Sequence, residues 1–234
     1  MPNIIIAIDG FSSSGKSTMA RQLAKTVGYR YVDSGAMYRA VALYALKNNL
    51  FIDSTPDVDA IVASLPDIKI DFKLMPDGSQ HTLLNGQDVE NEIRSFGVSN
   101  AVSPVAAIPE VRHAMVALQQ ALGKQKGIVM DGRDIGTTVF PDAELKLFVN
   151  ATAENRAKRR FKELQEKGDN HSTFEQVLEN VLSRDHIDMT RSESPLRRAD
   201  DAIDIDNSNM TIDEQNSLLL ELFNNKIKEL TATK

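Results

Sequence analysis

Residues 4–18 read IIIAIDGFSSSGKST, and this stretch decides the fold. Its first half is a run of aliphatic residues, which predicts a strand buried on both faces of a sheet. Gly10 and Gly15 then bracket a short loop, and a helical pattern follows from Lys16 to Val27. A buried strand, a glycine-containing loop and a helix in this order predict an α/β protein with a largely parallel sheet.

The loop in this stretch satisfies the pattern G-x-x-x-x-G-K-[ST], which is typical of nucleoside triphosphate binding. Its backbone N–H groups and the helix N-terminus that follows favour an anion. We expect Lys16 to reach the β- and γ-phosphates of ATP, Ser17 to ligate Mg²⁺, and Thr18 to lie near the α-phosphate. The predicted ATP-binding residues of the loop are Gly10, Phe11, Ser12, Ser13, Ser14, Gly15, Lys16, Ser17 and Thr18. A chance match in a Gly/Ser-rich turn is the alternative, and the flanking strand and helix argue against it.

Strands and helices alternate along the rest of the chain. Apolar runs predict further core strands at 29–32, 127–130, 145–149 and 202–205. Helical patterns cover 36–47, 108–122, 153–166, 173–186 and 211–230. Residues 68–74 alternate between apolar and polar residues, and the turn signals Pro76-Asp77-Gly78 and Asn85-Gly86 follow, so residues about 66–95 are predicted to form a small antiparallel insert. We therefore predict a three-layer α/β fold with a five-stranded parallel sheet, whose ligands bind beyond the carboxyl ends of the strands.

The composition narrows the class of protein. The 234 residues carry a net charge of −6 and include no cysteine. A non-specific nucleic-acid binder would usually be basic, so we expect no nucleic-acid partner. Without cysteine neither disulfides nor thiolate chemistry are possible, which fits a cytoplasmic protein. Since no run approaches the roughly 18 apolar residues of a membrane span, we expect no membrane partner. Nothing in the sequence demands more than a monomer.

Polar motifs follow the second and third predicted core strands. DSGAMYR at 33–39 and DGRDIGT at 131–137 lie at strand ends that a parallel sheet brings to one edge. Asp33 and Asp131 are positioned to support Mg²⁺ through water, and the planar fork of Arg133 suits a phosphate group. A helix cap with a turn is the alternative for the first motif. For the second motif it is a surface turn whose Arg and Asp pair with each other.

A charged helical pair spans residues 153–191. It carries Arg156, Arg159, Arg160, Arg184 and Arg191. A solvated charged helix is the plain interpretation of such a pattern. Arg predominates here, however, and its fork suits the spread charge of a transferring phosphoryl group. We predict a mobile lid that brings arginines over the triphosphate and excludes water.

Taken in order, the motifs resemble those of bacterial cytidylate kinases, a family of nucleoside monophosphate kinases. The matching segments are 10–18, DSGAMYR at 33–39, EIR at 92–94, VR at 111–112, DGRDIGT at 131–137, FPD at 140–142 and Arg184…Asp188…Arg191. The resemblance covers nearly the whole chain and implies transfer of the ATP γ-phosphate to CMP or dCMP. It implies one kinase unit with a core at 1–34, 104–152 and 195–234, a nucleoside monophosphate lobe at 35–103 enlarged by the insert at about 66–95, and a lid at about 153–194.

The resemblance also implies roles for single residues. Those expected to bind CMP are Ser34, Arg39, Ser103, Arg112, Arg133, Asp134, Arg184, Asp188 and Arg191. Within this set Arg39, Arg133 and Arg191 would hold the acceptor phosphate, and Arg184 and Asp188 would face the sugar. In the lid, Arg159 and Arg156 would contact ATP. The expected catalytic residues are Lys16, Arg133, Arg159 and Arg191.

The resemblance assigns recognition of the cytosine base to Ser103, Arg112 and Asp134. The chemistry agrees, because O2 and N3 of cytosine accept hydrogen bonds from Arg112, whereas its exocyclic amine donates to Asp134 and Ser103. Uracil has an acceptor in place of that amine, so Asp134 would repel it. The alternatives are a simple turn at Ser103, which precedes Pro104, and an exposed helical Arg112.

One departure from the family is visible in the phosphate loop. The family loop usually begins Gly-Pro with another Gly two residues later, whereas Phe11 and Ser13 occupy those places here. We expect altered loop stiffness and retained phosphate binding. Two other functions stay open at this point: a phosphate-loop kinase with a different acceptor, and a nucleotide-dependent switch or binding module.

Overall fold

The structure is a computed structural model and describes residues 2–76, 79–169 and 171–232. The strands are β1 (Ile5–Gly10), β2 (Arg30–Asp33), β3 (Phe51–Ile52), β4 (Thr55–Pro56), β5 (Ile70–Leu74), β6 (Gln80–Leu84), β7 (Gln87–Asp88), β8 (Ile128–Gly132), β9 (Leu145–Asn150) and β10 (Ile203–Asp206). The helices are α1 (Lys16–Val27), α2 (Ser34–Lys47), α3 (Val58–Ser64), α4 (Phe96–Ala106), α5 (Pro109–Gly123), α6 (Ala153–Glu166), α7 (Phe174–Thr190) and α8 (Ile212–Ala232). None of the described helices is long and apolar enough to span a bilayer.

The chain forms two compact units. The first comprises residues 1–33, 120–190 and 194–234, and the second comprises residues 34–119 and 191–193. Residues 153–190, predicted to form most of a lid, belong to the first unit. Their movement as a lid, like the predicted division into core, lobe and lid, stays a prediction.

A five-stranded parallel sheet forms the centre of the first unit, which confirms the predicted fold class. The strand order is β10-β9-β1-β8-β2. Successive side chains of the central strand β1 point to opposite faces of the sheet, and Ile6, Ala7 and Ile8 are all fully buried, so both faces of this strand are covered. This position explains why the strand is aliphatic at successive residues rather than at alternate ones. All five strands end at the same edge, so the segments that follow them come together there.

Helices α1 and α8 cover one face of this sheet. Met19 and Leu23 of α1 pack with Leu219 and Phe223 of α8 over the aliphatic side chains of β1. A capping box begins α8, because Thr211 N donates to Glu214 Oε2 at 2.8 Å and Glu214 N donates to Thr211 Oγ1 at 3.3 Å. The start of the closing helix is therefore encoded locally.

The second unit contains the predicted antiparallel insert. Strands β5, β6 and β7 form a three-stranded sheet, and β5 pairs antiparallel with β6 from Ile70↔Leu84 to Leu74↔Gln80. Asp77 and Gly78 of the predicted turn lie outside the described residues. The short hairpin β3–β4 and the helices α3 and α4 were not predicted. Ser103 lies inside α4, so its interpretation as a simple turn is wrong.

Candidate active site

The phosphate loop follows β1 at the carboxyl edge of the sheet. Gly10 is required by close packing, since a Cβ there would lie 2.1 Å from the carbonyl oxygen of Val149 on β9. Ser13, in the place where the family usually has glycine, adopts a left-handed φ of 58°. A non-glycine residue in that region costs about 1–2 kcal/mol, which the packing around the loop has to offset.

Lys16 begins α1 and is buried within the loop. Its Nζ donates to the carbonyl oxygen of Phe11 at 3.0 Å. Burial, and next the Arg133 cation, lower the pKa of Lys16 to about 7, although Asp131 and Asp33 act in the opposite direction. Two cations and two carboxylates therefore influence one another at the ends of three neighbouring strands.

Oxygen ligands suited to Mg²⁺ lie beside this lysine. The Ser17 hydroxyl donates to Asp131 Oδ2 at 2.7 Å, and the Tyr31 hydroxyl donates to Asp131 Oδ1 at 2.8 Å. Burial, and then the neighbouring Asp33 carboxylate, raise the pKa of Asp131 to about 6. A divalent cation would offset the repulsion between the two carboxylates, so Ser17, Asp33 and Asp131 fit the predicted metal site.

Helix α6, which the sequence predicts to be part of a lid, contacts backbone carbonyls of the phosphate loop. Arg156 Nη1 donates to Ser12 O at 3.0 Å, and Arg159 Nη1 donates to Ser14 O at 3.1 Å. Arg156 also forms an ion pair with the buried Asp185 at 2.7 Å. The interpretation of this helix as merely solvated is therefore wrong for Arg156 and Arg159. Their predicted contact with ATP stays a prediction.

Arg133 and Asp188, two predicted acceptor-site residues, form a partly buried ion pair within the first unit. Arg133 Nε donates to Asp188 Oδ2 at 2.9 Å. Burial, and then the charge of Arg133, lower the pKa of the nearby Arg184 to about 10, which leaves it cationic at neutral pH. Asp134 is also buried. Because Arg133 pairs with a residue of α7, the alternative of a self-contained surface turn is wrong.

The second unit holds the other residues predicted to bind CMP. Ser34 begins α2, and Arg39 Nη1 donates to Ile93 O at 3.1 Å. Arg191 Nε donates to Glu193 O at 3.1 Å.

Arg112 is held within the second unit. Its Nη1 donates to Ala106 O at 3.2 Å, at the end of the helix that carries Ser103. The guanidinium of Arg112 also lies 5.3 Å from the centre of the Tyr38 ring. With 1% of its surface exposed, it is not the exposed helical arginine of the alternative interpretation.

Asp9, which the sequence analysis did not single out, supports the DGRDIGT loop from β1. Its Oδ1 accepts from Ile135 N at 2.8 Å and its Oδ2 accepts from Gly136 N at 2.7 Å. These two N–H groups open a π-helical turn, Ile135–Val139, directly after Asp134. Burial raises the pKa of Asp9 to about 7, although both backbone hydrogen bonds lower it.

The titration of Asp9 predicts a pH-dependent stability. Because its pKa is raised from 3.8 to about 7, the native state binds the proton more tightly than the unfolded state. The free energy of unfolding should therefore fall as pH rises from about 4 to about 7. In Asp9→Asn this contribution should be absent. The unfolding free energy of wild type minus that of the variant, measured by denaturant titration, should therefore decline as pH rises from about 4 to about 7.

Glu214→Gln is the matched control for this titration. Hydrogen bonds from Thr211 lower the pKa of Glu214 below 4.5, so its contribution is present at higher pH and is lost as pH falls. The unfolding free energy of wild type minus that of Glu214→Gln should therefore rise with pH, and it should do so at lower pH than the change due to Asp9. A difference in unfolding free energy between wild type and Asp9→Asn that stays constant from about pH 4 to about pH 7 would contradict the assignment.

Asp185 and Asn207 are further polar residues that the sequence analysis missed. Asp185 adjoins Arg184 of a recognised motif, and its Oδ1 accepts from Ser12 N at 3.4 Å. Asn207 directly follows β10 and donates to Ser14 O at 2.7 Å. Because ligands of such sheets lie beyond the strand ends, the position of Asn207 directly after the last core strand is the sequence signal that points to it.

Comparison with known proteins identifies close relatives. A family model described as cytidylate kinase matches residues 6–225. A cytidylate kinase of Bacteroides thetaiotaomicron is 59% identical over 230 residues, which cover 98% of this chain and 100% of the relative. A cytidylate kinase of Flavobacterium johnsoniae is 55% identical over 97% of this chain and 99% of the relative. An uncharacterized protein from Eubacterium ventriosum, with a TM-score of 0.51 and 10% identity over 96% of this chain and 99% of its own, shares the fold alone.

Proposed function

This chain belongs to the cytidylate kinase family, and we propose that it transfers the γ-phosphate of ATP to CMP or dCMP, giving ADP and CDP or dCDP. The observation that carries the proposal is the placement of Lys16 and Arg133 just beyond the paired strands β1 and β8, close enough for the charge of Arg133 to lower the pKa of Lys16. One cation belongs to the phosphate loop and the other to the predicted acceptor site. A nucleotide switch needs only the first of them, whereas a kinase that joins two phosphate-bearing substrates needs both.

The donor side of the reaction is assigned to the phosphate loop. Its N–H groups and Lys16 bind the triphosphate, with Ser17 as a Mg²⁺ ligand and Asp33 and Asp131 holding the ion through water. When bound, Mg²⁺ would offset the negative charge of the triphosphate. Arg156 and Arg159 are proposed to add positive charge over the phosphates. Their present hydrogen bonds to loop carbonyls bring both guanidinium groups to the loop.

On the acceptor side, Arg133 is proposed to hold the CMP phosphate together with Arg39 and Arg191. An oxygen of that phosphate attacks the γ-phosphorus of ATP, and the bond from the γ-phosphorus to the β–γ bridging oxygen breaks as ADP leaves. The attacking oxygen is already ionised at neutral pH, so no strong general base is required. Positioning and electrostatic stabilisation by the arginines and Lys16 supply most of the acceleration.

Selectivity for cytosine is proposed to come from Ser103, Arg112 and Asp134, and sugar recognition from Arg184 and Asp188. Ser34 completes the proposed CMP contacts. Burial of Arg112 and Asp134 supports this assignment, since a buried donor or acceptor left unpaired by the wrong base costs about 1–3 kcal/mol. We further propose a cytoplasmic monomer with neither nucleic acid nor membrane as a partner.

Coupled ADP release with a panel of acceptors tests the proposal. With ATP and Mg²⁺, CMP and dCMP should each stimulate ADP release strongly, UMP should do so weakly, and AMP should have no effect. Stimulation by another acceptor in preference to CMP would favour a different phosphate-loop kinase. Slow ADP release that ignores every acceptor would instead favour a nucleotide-dependent switch.

A further inference from the structure

Asn207 is a fully buried polar residue whose side chain reaches the phosphate loop. It follows β10, and its backbone N donates to Asn150 O at 3.0 Å. Although Asn is usually exposed, none of its surface is accessible here. Its Nδ2 donates to Ser14 O at 2.7 Å, a contact between residues 193 positions apart in the chain. We propose that Asn207 is a positioning residue for the donor triphosphate, a role that deepens the proposed function and rests on it.

The proposed role follows from the orientation of one peptide group. The carbonyl oxygen of Ser14 accepts from Asn207 Nδ2 at 2.7 Å and from Arg159 Nη1 at 3.1 Å. In a planar trans peptide, the C=O and the N–H point in opposite directions. Holding the carbonyl of Ser14 therefore aims the N–H of Gly15 away from these side chains and across the loop, where it is available to a phosphate oxygen.

The same side chain also fixes Arg159. Asn207 Oδ1 accepts from Arg159 Nη1 at 3.0 Å, and Asn207 O accepts from Arg159 Nη2 at 2.8 Å. Asn207 must therefore donate to a carbonyl and accept from a guanidinium at once. An amide does both, whereas a carboxylate only accepts and an aliphatic side chain does neither. This double requirement explains why an amide is buried at this position.

Packing between Asn207 and the phosphate loop leaves little room for any side chain at position 15. A Cβ at Gly15 would lie 3.3 Å from Asn207 Nδ2, and Gly15 itself has a left-handed φ of 88°. The amide thus lies directly behind the residue whose N–H it orients. Nδ2 also lies 3.4 Å from Gln215 Oε1 on α8, which links this position to the closing helix.

Asn207→Asp separates the two contacts of the amide. The carboxylate keeps an acceptor for Arg159 but places an oxygen against the Ser14 carbonyl. We expect the Kd for Mg²⁺-ADP, measured by calorimetry on the full chain, to rise roughly tenfold or more, because the Ser14 carbonyl loses the shorter of its two hydrogen bonds and faces a carboxylate oxygen instead. The KM for ATP should rise in parallel, whereas the KM for CMP should stay within about twofold. Asn207→Ala, which removes both the donor and the acceptor without adding charge, should shift the same constants and replaces the first variant if that one does not fold.

Phe223→Leu is the matched control for lost stability. Phe223 packs in the core between α1 and α8 and makes no contact with the loop, so it should lower the Tm and leave both KM values unchanged. The proposal is overturned if folded Asn207 variants bind Mg²⁺-ADP within twofold of wild type, or if their KM values for ATP and CMP rise equally. ADP binding needs no acceptor, so it tests the role of Asn207 even if CMP fails to stimulate ADP release. Such a failure would contradict the proposed function alone.

Discussion

Replacement of Lys16 by alanine should lower kcat for CMP phosphorylation by about a thousandfold, which corresponds to about 4 kcal/mol. The reason is electrostatic. Lys16 is buried in the loop, and burial is the largest cause of its lowered pKa, so a bound anion is needed to stabilise its charged form. The triphosphate supplies that anion. Steady-state kinetics with saturating ATP and CMP would measure the loss.

Lys25→Ala is the matched control for this prediction. Lys25 lies exposed in the last turn of the same helix, so its removal tests the effect of losing a lysine from α1 without touching the loop. We expect wild-type kinetics for it. If Lys16→Ala retained more than about a tenth of the wild-type kcat, the assignment of the phosphate loop as the donor site would be wrong.

Replacement of Arg133 should act on the acceptor instead of the donor. For Arg133→Lys we expect kcat/KM for CMP to fall about a hundredfold or more, with the KM for ATP within about threefold of wild type. Lysine keeps a positive charge beside Asp188, but it lacks the planar fork that binds a phosphate through two hydrogen bonds. A fall in kcat/KM for CMP with little change in the KM for ATP would show that the substitution affects the acceptor site and not the donor site.

Stability must be separated from binding in this experiment. Arg133→Ala would leave the buried Asp188 without this partner, which typically costs about 3–5 kcal/mol, so an inactive alanine variant would be ambiguous. The lysine variant avoids most of that cost. Arg197→Ala, which removes an exposed arginine, should leave both constants unchanged. Equal losses toward ATP and CMP in Arg133→Lys would contradict a role confined to the acceptor.

The architecture around β1 was predictable because its signals are local. The unbroken aliphatic run, the glycine spacing and the helical pattern of residues 4–27 lie within one continuous segment, and each reflects a short-range preference of the backbone or of burial. The insert at β5–β7 was predictable for the same reason, since its alternation and turns are local. The helices α3 and α4 were missed although each begins at a capping side chain, since Asp57 accepts from Ala60 N and Ser95 accepts from Val98 N.

Individual contacts in the site depended on residues far apart in the chain. Asp9 accepts hydrogen bonds from residues 126 and 127 positions later, and no periodicity in either segment predicts that pairing. Likewise, a charged helix pattern cannot distinguish an exposed arginine from Arg156, which is buried against a loop carbonyl 144 positions away.

The sequence by itself therefore determined the phosphate loop, the parallel sheet and the edge of that sheet where the polar motifs lie. Short-range preferences of the chain are sufficient for those features. Only the tertiary structure decided which side chains hold the loop in shape. Asn207 and Arg159 meet at the Ser14 carbonyl because β1, β9 and β10 are neighbours in the folded sheet, and that adjacency exists only once the chain has folded.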